Sequence, residues 1–149
     1  MMLGKWQLWQ PLKEMQGKYF IKSYCDNFDD LIFILSKDNA NKDTELHVTF
    51  VTGCEIYRKT NESYRLRLWT YLDNTHSNLD REKSLYIVED SEYLHYLSDE
   101  SGTITEYAKF QHYCIMDSEW VFDVASQRTP RVELFVDGKL IESSEARMS

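Results

Sequence analysis

Residues 84–124 read SLYIVEDSEYLHYLSDESGTITEYAKFQHYCIMDSEWVFDV, and the succession of strand and helix signals in that stretch decides the fold. Leu85, Tyr86, Ile87 and Val88 form a short apolar, β-favouring run, too short for a helix of its own and suited to a buried sheet position. Asp90 and Ser91 follow, each able to accept from the free amides of a first helical turn, and Glu92 places negative charge at the positive end of the helix dipole. A helix is therefore predicted to start at Ser91 and to end near Glu100. Tyr93, Leu94 and Leu97 give it an apolar stripe, and Gly102 can take the left-handed conformation that closes it. Beyond the polar turn of 101–105, residues 108–116 alternate, with Phe110, His112, Cys114 and Met116 on one side. Asp117, Ser118 and Glu119 reverse the chain, and Trp120, Phe122 and Val124 then alternate against Val121 and Asp123 as a second strand hairpinned to the first.

Working outward, residues 19–25 alternate as a strand, and LIFIL at 31–35 fits either a helical face capped at Asn27 or a buried strand. The strand is preferred, because a helix entered at Asn27 would have too little polar surface. Residues 36–45 and 73–83 are hydrophilic loops, 46–51 is a strand, and Gly53 permits a bulge before 55–59 continues it. Tyr64, Leu66 and Leu68 alternate with Arg65, Arg67 and Trp69, which predicts a strand with a basic face running on to Leu72. Near the start, Trp6, Trp9, Leu12 and Met15 recur at steps of three, with Pro11 suited to a first helical turn and Gly17 to an end, so a short N-terminal helix is expected over 11–16. Val132, Leu134 and Val136 alternate up to Asp137-Gly138, a strong hairpin signal, after which Leu140 and Ile141 return as an edge strand. The tail from about residue 142 reads as disordered. The expected class is α+β: a mostly antiparallel, curved sheet of about seven or eight strands with one main helix, in a single domain over 1–149.

Composition narrows the function classes. The 149 residues carry a formal net charge of −8, which argues against nucleic acid or an anionic membrane surface as partner and in favour of a basic protein partner. Aromatic residues make up 14% of the chain, enough to fill the space between sheet and helix. Three cysteines, Cys25, Cys54 and Cys114, in no CxxC spacing read as reduced, buried thiols. No run approaches the roughly 20 apolar residues of a membrane span. The cytoplasm is the expected location.

Groups capable of chemistry are dispersed. With five glycines and no Gly-rich phosphate loop, GxSxG or HExxH, the chain offers none of the common catalytic signatures, and no cofactor or metal site is expected. His112 and Cys114 share a strand face, with Asp117, Glu119 and Asp123 at or beyond the hairpin. They read as a thiolate–imidazolium pair or, more simply, as a buried thiol beside a hydrogen-bonded core histidine. Arg58, Arg65 and Arg67, with Glu55 and Glu62, surround a proposed hairpin over 57–67 as cross-strand salt pairs or as an anion-recognising patch.

The segments FVTGCEIYRKTNES, LYIVEDSEYLHYLSDES and HYCIMDSEWVFDVAS resemble the recurring pattern of a family of small bacterial proteins without an assigned activity, over most of the span from Phe50 to Ser126. In size and charge the chain is also similar to immunity proteins that neutralise secreted toxins. The expected function is a non-enzymatic, immunity-like protein-binding module of a bacterial cytoplasm, with Trp6 and Trp9 either packed against the sheet or forming an exposed partner-binding patch. The alternative is a small-molecule-binding protein or minor enzyme with a cavity between sheet and helix, lined by Arg65, Arg67, His112 and Tyr113. The edge strand after Asp137-Gly138 would allow a homodimer in either case.

Overall fold

The computed structural model describes residues 3–37, 43–51, 54–144 and 147–148. In them the strands are β1 (Lys5–Leu8), β2 (Tyr19–Asp26), β3 (Asp30–Lys37), β4 (Thr44–Val51), β5 (Cys54–Asn61), β6 (Leu85–Glu89), β7 (Gln111–Met116), β8 (Trp120–Ser126), β9 (Arg128–Thr129), β10 (Arg131–Val136), β11 (Lys139–Ser144) and β12 (Arg147–Met148). The helices are α1 (Leu66–Thr75), α2 (Glu92–Glu100) and α3 (Ile104–Tyr107). The class is α+β with antiparallel pairing, but the strands form two five-stranded sheets instead of one, ordered β1-β6-β7-β8-β5 and β11-β10-β4-β3-β2, with a small β12-β9 ladder beside them.

Period-two alternation explains the layering. Leu31, Phe33 and Leu35 of β3, Leu46, Val48 and Phe50 of β4, and Val132 and Leu134 of β10 turn to one side and meet Leu85, Tyr113, Ile115, Phe122 and Val124 of the first sheet. The rings of Phe33 and Phe122 are 4.9 Å apart across the two sheets. The other face of the first sheet carries Tyr86, Val88, Cys114, Met116 and Val121, covered by Trp6 and by Leu68 and Leu72 of α1, while Tyr93 and Leu97 of α2 cover Ala125. β7 and β8 are thus buried on both faces, and a polar residue on either one needs a specific partner.

The helix at 91–100 forms as expected. Ser91 is extended and its hydroxyl accepts from the Leu94 amide at 3.1 Å, Tyr93 and Leu97 are buried, and Gly102 follows at φ +65°. LIFIL is a strand, and Asp137-Gly138 turns β10 into β11, at one edge of the second sheet.

Three readings are corrected. Residues 64–72 are not a strand: a 3₁₀ turn over Glu62–Tyr64, capped by the Asn61 side chain, leads into α1, which also takes in Asp73, Asn74 and Thr75. The buried pair Leu68 and Leu72 is spaced i, i+4, whereas Tyr64 and Leu66, which completed the apparent alternation, are 82% and 73% exposed. The hairpin over 57–67 is accordingly absent.

The helix expected over 11–16 is absent: that segment is irregular and follows β1, which pairs with β6. The segment's backbone groups find side chains instead: Gln10 Nε2 donates to the carbonyls of Leu12 and Met15, and the Glu142 carboxylate accepts from the amides of Lys13 and Glu14. Leu12 and Met15 still point into the core.

Glu142 to Ser144 complete β11, and Arg147–Met148 pair with β9, where a disordered tail is expected. Residues 145, 146 and 149, the centre of the 36–45 loop at 38–42, and the bulge expected at Gly53 lie outside the described residues. No helix among the described residues is long and apolar enough to cross a membrane.

Candidate functional site

The helix-facing side of β7 and β8 presents His112, Cys114, Asp123 and Ala125. In register, Cys114 opposes Asp123 and His112 opposes Ala125, so His112 reaches Asp123 diagonally. Its Nε2 lies 2.7 Å from Asp123 Oδ1 and its Nδ1 lies 2.8 Å from the Ser91 hydroxyl. With the ring proton on Nε2 the chain of bonds is complete: Leu94 N–H donates to Ser91 Oγ, the hydroxyl donates to Nδ1, and Nε2–H donates to the carboxylate.

Asp123 is also held from β5 and from the start of α1. Its Oδ2 accepts from Arg58 Nε at 2.8 Å and from Arg65 Nη1 at 3.0 Å. Arg58 sits opposite Asp123 in the β5–β8 ladder, and Arg65 is the N-cap of α1. Burial would raise the carboxyl's pKa, but the His112 hydrogen bond and the charges of Arg58 and Arg65 outweigh it and hold the group well below the usual carboxylate range. Next to this cluster, Arg67 grips Glu92 with both forks, Nη1 to Oε1 at 2.7 Å and Nη2 to Oε2 at 2.6 Å, and Arg58 stacks 4.4 Å above the Tyr93 ring.

Arg58, Arg65, Arg67, Ser91, Glu92, Tyr93 and His112 line a cavity of about 370 Å³, walled further by Leu3, Trp6, Thr60, Tyr64 and Leu68, with Asp123 fully buried behind the arginines. Three guanidinium groups face two carboxylates, Asp123 and Glu92, leaving one positive charge in excess inside a chain of net charge −8. Both α1 and α2 begin at this cavity. The first turn of α1 contains no acid, and Arg65 gives it no side-chain cap, so two arginines occupy the end of the helix that favours anions. A second cavity of about 290 Å³ is lined by Lys18, Arg81 and Lys83 against Glu62, Glu82 and Asp117, a balanced set.

Of the residues expected to line a ligand site, Arg65, Arg67 and His112 come together here. Tyr113 does not: it faces the other side of β7, its ring 5.5 Å from Phe50 and 5.1 Å from Trp9. His112 is 2% exposed with both nitrogens engaged, so it orients Asp123 and Ser91 and leaves ligand contact to the arginines. Trp6 is 6% exposed and forms part of the cavity wall, and Trp9 is half-buried, so the pair makes no exposed patch. Cys114 is fully buried, and desolvation, followed by the Asp123 charge, pushes its thiol pKa well above the ordinary value, which is the opposite of an activated thiolate.

Sequence reasoning missed the role of Asp123. Its signal was available: an acidic residue on the buried face of the apolar strand WVFDV, which requires cationic partners from elsewhere in the chain. Glu92 as a partner for Arg67 carried no such signal, because the two lie 25 positions apart on different helices. Among the described residues no group of three or more His, Cys, Asp or Glu is placed to hold a metal ion. No family model, curated protein or solved structure matches the chain.

Proposed function

We propose that the protein binds a small anionic ligand in the cavity where α1 and α2 begin, with Arg58, Arg65 and Arg67 as the recognising groups. The observation that carries this reading is the excess of guanidinium charge over carboxylate at a site where two helix N-termini also converge. A purely structural role for the arginines would need only enough of them to neutralise Asp123, and it would not put Arg65 and Arg67 at the positive end of a helix.

A Ser91–His112–Asp123 hydrolytic relay fits the geometry less well. Ser91 is 1% exposed and its oxygen is committed to capping α2, so no substrate carbonyl reaches it. A protein-binding, immunity-like module with a basic partner is supported by the net charge of −8 but has lost its expected Trp6 and Trp9 patch.

The test is a thermal-shift and calorimetric panel of inorganic phosphate, benzoate and citrate against neutral isosteres at low salt. At least one anion should bind saturably and raise Tm, and added salt should weaken it. Failure of all three anions to bind wild-type protein would end the proposal.

A further inference from the structure

We infer that the cavity selects a phosphomonoester dianion over a carboxylate, an inference that rests on the anion-binding reading above. Charge is the first reason. The side chains leave one positive charge uncompensated, and the N-termini of α1 and α2, each equivalent to about half an elementary charge, bring the site near two. A phosphomonoester carries about −1.5 to −2 at neutral pH and matches that excess, whereas a carboxylate matches half of it.

Competition is the second reason. Arg67 already holds the Glu92 carboxylate through both oxygens, and Glu92 is tethered in place. A ligand carboxylate taking over that fork exchanges like for like while losing the translational freedom that Glu92 does not have to lose. A tetrahedral phosphoryl group presents three oxygens and can draw on Arg58, Arg65 and Arg67 together. Arg58 and Arg65 already converge within 3.0 Å of one Asp123 oxygen and keep further N–H donors beyond those bonds.

A third observation is independent of charge: the walls supplied by Leu3, Trp6, Leu68 and the Tyr64 ring suit an organic body attached to the phosphate.

The experiment is calorimetric titration of the full chain with phenyl phosphate and with benzoate at pH 7.5 and matched ionic strength, repeated on Arg67→Gln and on Arg81→Gln. Arg81 belongs to the balanced second cavity. Phenyl phosphate is expected to bind at least tenfold more tightly than benzoate, to lose at least tenfold in Arg67→Gln, and to be unchanged in Arg81→Gln. Equal or tighter binding of benzoate overturns the selectivity while leaving anion binding intact. Loss in Arg81→Gln with Arg67→Gln unaffected moves the site and overturns the inference, and binding of neither ligand, nor of any anion in the panel above, removes both.

Discussion

Nε2 of His112 and Oδ1 of Asp123 lie 2.7 Å apart on neighbouring strands, in a part of the fold where neither residue is more than 2% exposed. Through this contact the first turn of α2, reached by way of Ser91, is joined to the arginines of β5 and α1, which bind the other carboxylate oxygen. A buried carboxylate carries this junction, so the assembly should be costly to break at one partner and sensitive to acid.

Asp123→Asn should destabilise the protein by about 3 kcal/mol, toward the lower end for a broken buried ion pair because Arg58 is half exposed and can turn to water. The folded-state pKa lies below the unfolded value of about 3.9, so the ionised carboxylate's contribution is complete above that value and is lost as pH falls from it toward the depressed folded value. Urea unfolding of both proteins should show the gap at pH 7 and see it narrow below about pH 4. A gap of under 1 kcal/mol at pH 7 would contradict the cluster.

Ser91→Ala removes two bonds at once, the cap on the Leu94 amide and the partner of His112 Nδ1. The cap is worth about 1 kcal/mol and the buried nitrogen left unpaired about as much again, for a total near 2 kcal/mol. Chemical denaturation checks it. A cost of only a few tenths would mean that the hydroxyl is replaced by water.

The Arg67–Glu92 pair should behave differently from the Asp123 cluster. It is bidentate but sits on largely solvated side chains, so a double-mutant cycle with Arg67→Gln and Glu92→Gln should give a coupling below about 1 kcal/mol. Arg67→Gln is then a folded variant suited to ligand titration, and a coupling of several kcal/mol would show the pair to be structural.

Cys25 is exposed on β2, and Cys114 is enclosed between the first sheet and α1. Brief treatment of native protein with iodoacetamide, followed by peptide mass mapping, should find Cys25 alkylated and Cys114 unmodified until denaturant is added. Alkylation of native Cys114 at a comparable rate would show that the α1 layer opens readily.

Local signals carried the sheet-and-helix core well. Ser91 as a cap, the Tyr93 and Leu97 stripe, the β7–β8 hairpin and the Asp137-Gly138 turn each depend on neighbours within a few residues, and each formed as the residue types dictate. The error at 64–72 has a physical origin. Tyr64 and Leu66 happen to extend a period-two pattern, while the contact that selects the helix, Leu68 and Leu72 against Tyr86, Val88 and Met116, lies at long range. A six-residue apolar period at 11–16 had no means of announcing that Gln10 and Glu142 would satisfy its backbone.

By itself the sequence determined the alternation of β7 and β8, where α2 begins, and that the class is α+β, because alternation, capping and turn chemistry act over short distances. Only the tertiary structure decided that the strands divide into two sheets and that Arg58, Arg65, Arg67, Ser91 and His112 meet at one cavity with Asp123 buried behind them. Their convergence depends on ladder register and helix packing across as many as 65 positions of chain, and no local pattern of side chains encodes a contact at that range.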